Sequence, residues 1–190
     1  VGYKAMDANT TGEYNVAVGG NALDANTTAD SNVAVGYNAL SANTTGGAVI
    51  GIGRNALQSN TTGNDNVGVG HQALNSNTTG NENVAIGRGA LETSTTAIRN
   101  TALGYQALTA QTTGNENVAV GRNAMQASTT AAQCVAIGSE AARSLTTAGN
   151  TTAVGYLAGY GITTGGANTA LGMMALFGNT TGTDNVAIGK

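Results

Sequence analysis

The sequence predicts an all-β protein, a parallel β-solenoid (β-roll) of about eleven 17-residue coils. Three observations carry that prediction. Twelve glycines, from Gly2 to Gly189, recur every 17 residues with no insertion or deletion between them. Immediately before each of them, from Gly19 onward, two large residues flank a small one, a period-two pattern that marks a half-buried strand. A Thr-Thr pair closes every unit, from Thr10-Thr11 to Thr180-Thr181. A strict period is what a solenoid requires, because each residue stacks on its counterpart one coil away.

The unit is numbered here from the asparagine that opens it, as in Asn83–Arg99. Positions 2 and 4 carry Val, Ile, Leu or Thr, mostly β-branched residues suited to strands. Val16, Val18, Val33, Val35, Val84 and Ile86 are expected to face the interior. Position 3 is Ala or Gly, and position 5 is always Gly, which suits a corner with positive φ. Positions 6–11 contain an Ala at position 8 and mostly Leu at position 9. Six residues between a glycine and a Thr pair leave room for at most one helical turn, so this stretch is read as a short strand or a bend that drops Ala and Leu into the core. The Thr pair at positions 13 and 14 reads as strand chemistry. Neighbouring coils about 4.8 Å apart would make a rod roughly 50 Å long. Asn at position 1 is placed to form a stacked amide ladder.

The array fills residues 1–190 as a single domain, with no capping unit visible at either end. Each coil offers about three large apolar side chains, a thin core of the kind that rarely stabilises alone, so self-association is expected. Only 9% of residues are charged and the net charge is −3, which argues against nucleic acid as a partner. A single cysteine, Cys134, excludes a disulfide framework. No apolar run approaches membrane-spanning length, so membrane insertion is not expected.

The stretch NTTGNENVAIGRGAL (Asn77–Leu91), with NTTGNDNVGVGHQAL (Asn60–Leu74) and NTALGYQALTAQTTG (Asn100–Gly114), resembles repeats of phage tail fibres and related surface proteins. The VAIG core is similar to the head repeats of trimeric autotransporter adhesins. The resemblance covers essentially the whole chain. It implies a left-handed roll, a homotrimer and an extracellular, cell-surface or virion location. The 17-residue period is longer than that usual in the adhesin heads.

Catalytic constellations are close to absent. His71 is the only histidine, no nucleophile recurs with a base, and no phosphate loop or calcium-binding nonapeptide is present. No enzyme activity, catalytic residue, cofactor or metal is expected. Position 6 is more informative. Tyr37, Arg54, His71, Arg88, Tyr105 and Arg122 succeed one another along one edge. Two readings stand: a strip that binds a glycan by stacking and hydrogen bonds, or cation–π stacking between rungs of a solvated edge. The acids at position 17 (Asp65, Glu82, Glu116 and Asp184) read as a charge ladder offset by Arg99, or as a cation site bridging Asp65 and Glu82.

Over residues 139–178 several polar positions turn apolar. Tyr156, Leu157, Tyr160, Ile162, Met173, Met174 and Phe177 are read either as a contact surface for another chain or as a local change of coil shape that turns them inward. Seven N-T-T triplets match the glycosylation acceptor pattern. The reading these features lead to is a structural and adhesive fibre segment whose partners are copies of itself (a homotrimer or filament) and a host-surface glycan or receptor. The alternatives are a subunit of a self-assembling extracellular filament and, third, an ice-binding solenoid. Ice binding requires ordered threonine ranks, and adjacent threonines in a strand face opposite ways. Only one rank, or an Asn-x-Thr pair of ranks, would then face out.

Overall fold

A computed structural model describes all 190 residues, Val1–Lys190. The chain is all-β and contains no helix. Eleven three-residue strands follow one another: β1 (Val16–Val18), β2 (Val33–Val35), β3 (Ile50–Ile52), β4 (Val67–Val69), β5 (Val84–Ile86), β6 (Thr101–Leu103), β7 (Val118–Val120), β8 (Val135–Ile137), β9 (Thr152–Val154), β10 (Thr169–Leu171) and β11 (Val186–Ile188). They form one parallel sheet in sequence order. Each strand pairs with the next at an offset of one 17-residue unit, so Val67 lies on Val84 and Val69 on Ile86. The protein is therefore a parallel β-solenoid, one coil per unit.

The strands supply few of the bonds between coils. Of 123 backbone hydrogen bonds, 20 lie wholly within the strands, and the other 103 have at least one partner outside them. Positions 6–11 form a turn, not a strand, and Ala and Leu from it are buried, as the bend reading expects. The Thr pair forms bends and not a strand. Its first threonine still bonds along the rod: Thr61 Oγ1 donates to Thr78 O at 3.0 Å and Thr78 Oγ1 to Thr95 O at 3.0 Å.

Which face of the strand points inward is the reverse of the expectation. Ala17, Ala34 and Ala85 are buried, while Val16, Val18 and Ile86 are exposed and Val33, Val35 and Val84 half-buried. The cause is the width of the coil. A Cβ placed on Gly51 would lie 3.1 Å from Leu40 Cγ and 3.3 Å from Ala56 O. The opposite wall is that close, so position 3 holds Ala or Gly, and the two large residues beside it face out. The core is consequently a stack of alanines from positions 3 and 8 around a file of Leu23, Leu40, Leu57, Leu74, Leu91 and Leu108. These leucines adopt left-handed φ near +50°, a conformation unusual for a residue with a branched side chain. The packing of the file and the coil-to-coil hydrogen bonds hold them there.

Two polar ladders complete the interior. At position 1, Asn83, Asn100 and Asn117 each donate Nδ2 to the Oδ1 of the asparagine one coil earlier, at 3.1, 3.2 and 3.0 Å. At position 12 a second ladder runs from Asn9 through Asn26, Asn43 and Asn60 to Asn77, with bonds of 2.9, 3.2, 2.8 and 2.7 Å. Their inner members are buried, and a buried amide is tolerated only when it is bonded. Such stacked amides also fix register, because a slipped coil would leave them unpaired.

The position-1 ladder is interrupted where the core changes, whereas the position-12 ladder stops earlier, at Asn77, and is followed by Ser94, Gln111 and Ser128. At position 9 leucine gives way to Ala142 and Gly159. In the same two coils position 12 becomes Leu145 and Ile162, both fully buried. A Cβ on Gly159 would meet Ile162 Cδ1 at 3.0 Å. The large side chain has moved from one column to the other and fills the same space. Position 1 changes in step, to Cys134 and Thr151, also buried.

Candidate functional site: two edges and a flat apolar face

The glycine at position 5 ends each strand with φ between about +118° and +144°. The chain turns there, and the residue after it projects at the edge of the sheet. Tyr37, Arg54, His71, Arg88, Tyr105 and Arg122 thus form one continuous file over six coils, as the repeat implies. All are exposed except His71, which is half-buried. The Arg88 guanidinium lies 5.9 Å from the centre of the Tyr105 ring. Arg122 Nη1 pairs with Glu140 Oε1 at 3.2 Å. The file therefore combines accessible aromatic faces with charged donors at a repeat of about 4.8 Å. One shallow depression of about 540 Å³ lies away from it, beside the opposite edge around Asp30, Gly47 and Asp65.

The opposite edge is the position-17 file. Arg99 Nε donates to Glu82 Oε2 at 3.1 Å, and its Nη1 lies 3.5 Å from Glu116 Oε1. Gln133 Nε2 donates to Glu116 Oε2 at 3.2 Å. The hydrogen bond and charge of Glu82, with Glu116 behind, raise the Arg99 pKa above its ordinary value. The charge-ladder reading matches this arrangement. Glu82, half of the alternative cation site, is occupied by Arg99, and no three His, Cys, Asp or Glu side chains converge anywhere in the chain.

Between the two edges lies a surface that the sequence reading missed. Positions 2 and 4 of every strand face out, giving two parallel files of Val, Ile, Leu and Thr along the whole sheet. Val16 is 48% exposed, Leu103 44% and Ile137 41%. The signal was present in the sequence. A column that never exceeds alanine is the one pressed against another wall, and its neighbours must point away.

The C-terminal apolar residues divide. Tyr156, Met173, Met174 and Phe177 are exposed, and Leu157 and Tyr160 half-buried. Tyr160 and Phe177 stack with ring centres 5.2 Å apart and planes 11° apart, while Arg143 Nη1 donates to Tyr160 OH at 3.3 Å. Ile162 does not belong to this surface. It is fully buried, for the packing reason given above.

Two smaller readings are also located. The triplet asparagines Asn26, Asn43, Asn60 and Asn77 are ladder members inside the rod, and Asn150 is the exposed one. The burial of the position-12 asparagines also removes the Asn-x-Thr double rank, leaving one exposed file of threonines at position 14, such as Thr45, Thr62 and Thr79. Cys134 is buried in the position-1 column, and burial pushes its thiol pKa up.

Comparison with known proteins returns no match, whether to a family model, to a curated protein or to a solved structure. What the fold defines is a class of architecture, a regular parallel β-solenoid with a 17-residue coil.

Proposed function

We propose that this chain is a structural and adhesive segment of an extracellular fibre, of the kind carried by phage tails and cell-surface adhesins. The observation that carries the reading is the unbroken register of the sheet. Eleven strands pair at a constant offset, so every surface file repeats the same backbone geometry from coil to coil. Such a body holds spacing and displays one chemistry many times over, which suits multivalent contact with a repetitive ligand. The file of Tyr37, Arg54, His71, Arg88, Tyr105 and Arg122 is the ligand-binding strip in this reading. Aromatic faces stack on sugar rings, and guanidinium groups donate to hydroxyls and carboxylates.

The test is a glycan array probed with the intact chain and with a variant carrying Arg88→Ser, Tyr105→Ser and Arg122→Ser, the residue that already stands at Ser139 in this file. Binding to a defined saccharide that is lost in the variant, with an unchanged circular dichroism spectrum, is the expected result. No saccharide binding, or binding that the variant retains, would overturn the adhesive assignment.

A further inference from the structure

The charges of this protein are sorted onto the two edges of its flat apolar face. Positions 16 and 17, on the edge before each strand, carry Glu13, Asp30, Asp65, Glu82, Glu116 and Asp184 against a single cation, Arg99. Positions 6 and 7, on the edge after each strand, carry Lys4, Arg54, Arg88, Arg122 and Lys190 against a single acid, Glu140, and add His71. For the four acids at position 17 the sorting also holds rung by rung, whereas Glu13 and Asp30, at position 16, have no base on their rungs and Arg54 has no acid on its own. Every acid at position 17 has a basic side chain at the far end of its own strand: Asp65 with His71, Glu82 with Arg88, Glu116 with Arg122, and Asp184 with Lys190. The three-residue strand and a bend at each end separate the two members, which stand on opposite edges of the face. They cannot meet within one chain.

We infer that the apolar face is covered by the same face of a second copy of this chain, with the two rods parallel and their coils in register. The geometry selects this orientation. Rotation about an axis along the rod exchanges the two edges of the face and leaves the height of every rung unchanged. The acidic edge of one copy then lies along the basic edge of the other, and each position-17 acid stands beside the basic residue of its own rung. Rotation about an axis across the rod, which makes the copies antiparallel, sets acidic edge on acidic edge. Like charges brought together in that way are disfavoured.

The local pairs leave charge over for this contact. Arg99 serves both Glu82 and Glu116, so one carboxylate charge remains. Glu140 serves both Arg122 and Arg143, so one guanidinium charge remains. The outward face of eleven three-residue strands spaced about 4.8 Å apart is roughly 500 Å² per copy, and the charged edges on either side bring the contact towards the ~800 Å² that each partner contributes to an ordinary stable interface. The same edge pairing arises for any number of copies arranged around an axis along the rod. The interface is continuous over all eleven rungs; Tyr156 and Met173 of the C-terminal patch stand on its position-6 edge, whereas Phe177 lies beyond that edge. It goes beyond the adhesive reading and does not depend on it, but it engages Arg88 and Arg122 of the same file, so assembly is read by crosslinking and adhesion by saccharide binding.

The experiment uses the full chain with Cys134→Asn, which restores the amide of that column, as background. Sedimentation equilibrium gives the association state. Glu82→Cys and Arg88→Cys variants are made separately, mixed, dissociated and reassociated, and treated with a short bismaleimide. The expected result is a self-associating protein whose crosslinked pairs join one Glu82→Cys chain to one Arg88→Cys chain, with little product from either alone. An Arg99→Cys variant, whose rung is the middle one of the eleven, crosslinks to itself in an antiparallel assembly, and that product would overturn the proposal. A strictly monomeric chain, or one associated without the mixed crosslink, would overturn it as well. As a second arm, Val69→Thr, Ile86→Thr and Leu103→Thr together should weaken association by about tenfold or more with an unchanged circular dichroism spectrum, because an interface depends on its central apolar contacts. Undiminished association in that variant would place the interface elsewhere.

Discussion

Gly70→Ala adds one methyl group at a place where the coil has no space for it. The new Cβ would lie 2.6 Å from Gly87 O, 2.7 Å from Gly87 C and 3.2 Å from Arg88 N. All three are backbone atoms and cannot swing aside as a side chain would. Gly87 is itself fixed, donating to Val69 O at 2.8 Å and accepting from Ala90 N at 3.3 Å. The backbone at Gly70 also has φ +135°, a region that L-residues rarely adopt. Holding a non-glycine residue there costs of order 1–3 kcal/mol, and overpacking typically adds about 1–3 kcal/mol. The expected destabilisation is therefore about 2–6 kcal/mol. Gly47→Ala is the matched control, with ordinary φ and its nearest new contact 3.4 Å away at Asp30 O. It should change stability by no more than about 0.5 kcal/mol. Urea unfolding followed by far-ultraviolet circular dichroism compares the two. Amide exchange across β4 and β5 shows whether the damage is local, as stability in a stacked array is additive between neighbours. Equal midpoints for the two variants would refute the argument from coil spacing.

Two further outcomes are expected. Ile162→Asn alone should cost about 2–5 kcal/mol through the lost packing, and Gly159→Leu alone about 1–3 kcal/mol by overpacking against Ile162. The double variant restores the usual pattern, so a double-mutant thermal-unfolding cycle should show favourable coupling of about 1–3 kcal/mol; additivity would mean that the two columns do not share space. Burial raises the Cys134 thiol pKa in the folded chain, with a hydrogen bond to the Thr151 backbone acting weakly the other way. A group whose folded pKa is raised contributes fully below its unfolded value and loses that contribution above it. Stability should therefore fall as pH rises past about 9.0, more steeply in the native chain than in Cys134→Asn; parallel pH profiles would contradict this.

Much of the architecture was legible because it depends on register. The 17-residue spacing of Gly53, Gly70 and Gly87 implies stacked coils, and their positive φ follows from the same corner. The files at positions 6 and 17 lie where the repeat places them. The inward face of the strand was misread, because period two separates two faces without saying which is buried. Hydrophobicity favoured Val84 and Ile86, but the width of the coil decided for Ala85, and that width depends on the opposite wall at Leu74 and Ala90. Ile162 was misread for a related reason. Its burial follows from the missing side chain at Gly159 in the same coil, and the two exceptions are informative only when read as a pair. The second ladder, through Asn43 and Asn60, was hidden because Asn-Thr-Thr also reads as a surface triplet.

The inverted core, with alanine inside and large β-branched residues outside, is tested most directly on one rung. Thermal unfolding followed by far-ultraviolet circular dichroism is measured for Ala85→Val and for Val84→Thr with Ile86→Thr. Ala85 is fully buried, whereas Ile86 is exposed and position 2 already holds threonine at Thr101, Thr152 and Thr169. The expected result, at a dilution where the chains are dissociated, is a loss of about 1–3 kcal/mol for Ala85→Val and a change within about 0.5 kcal/mol for the threonine pair. A stable Ala85→Val variant beside a threonine pair that unfolds would place the valines inside and contradict the fold described here.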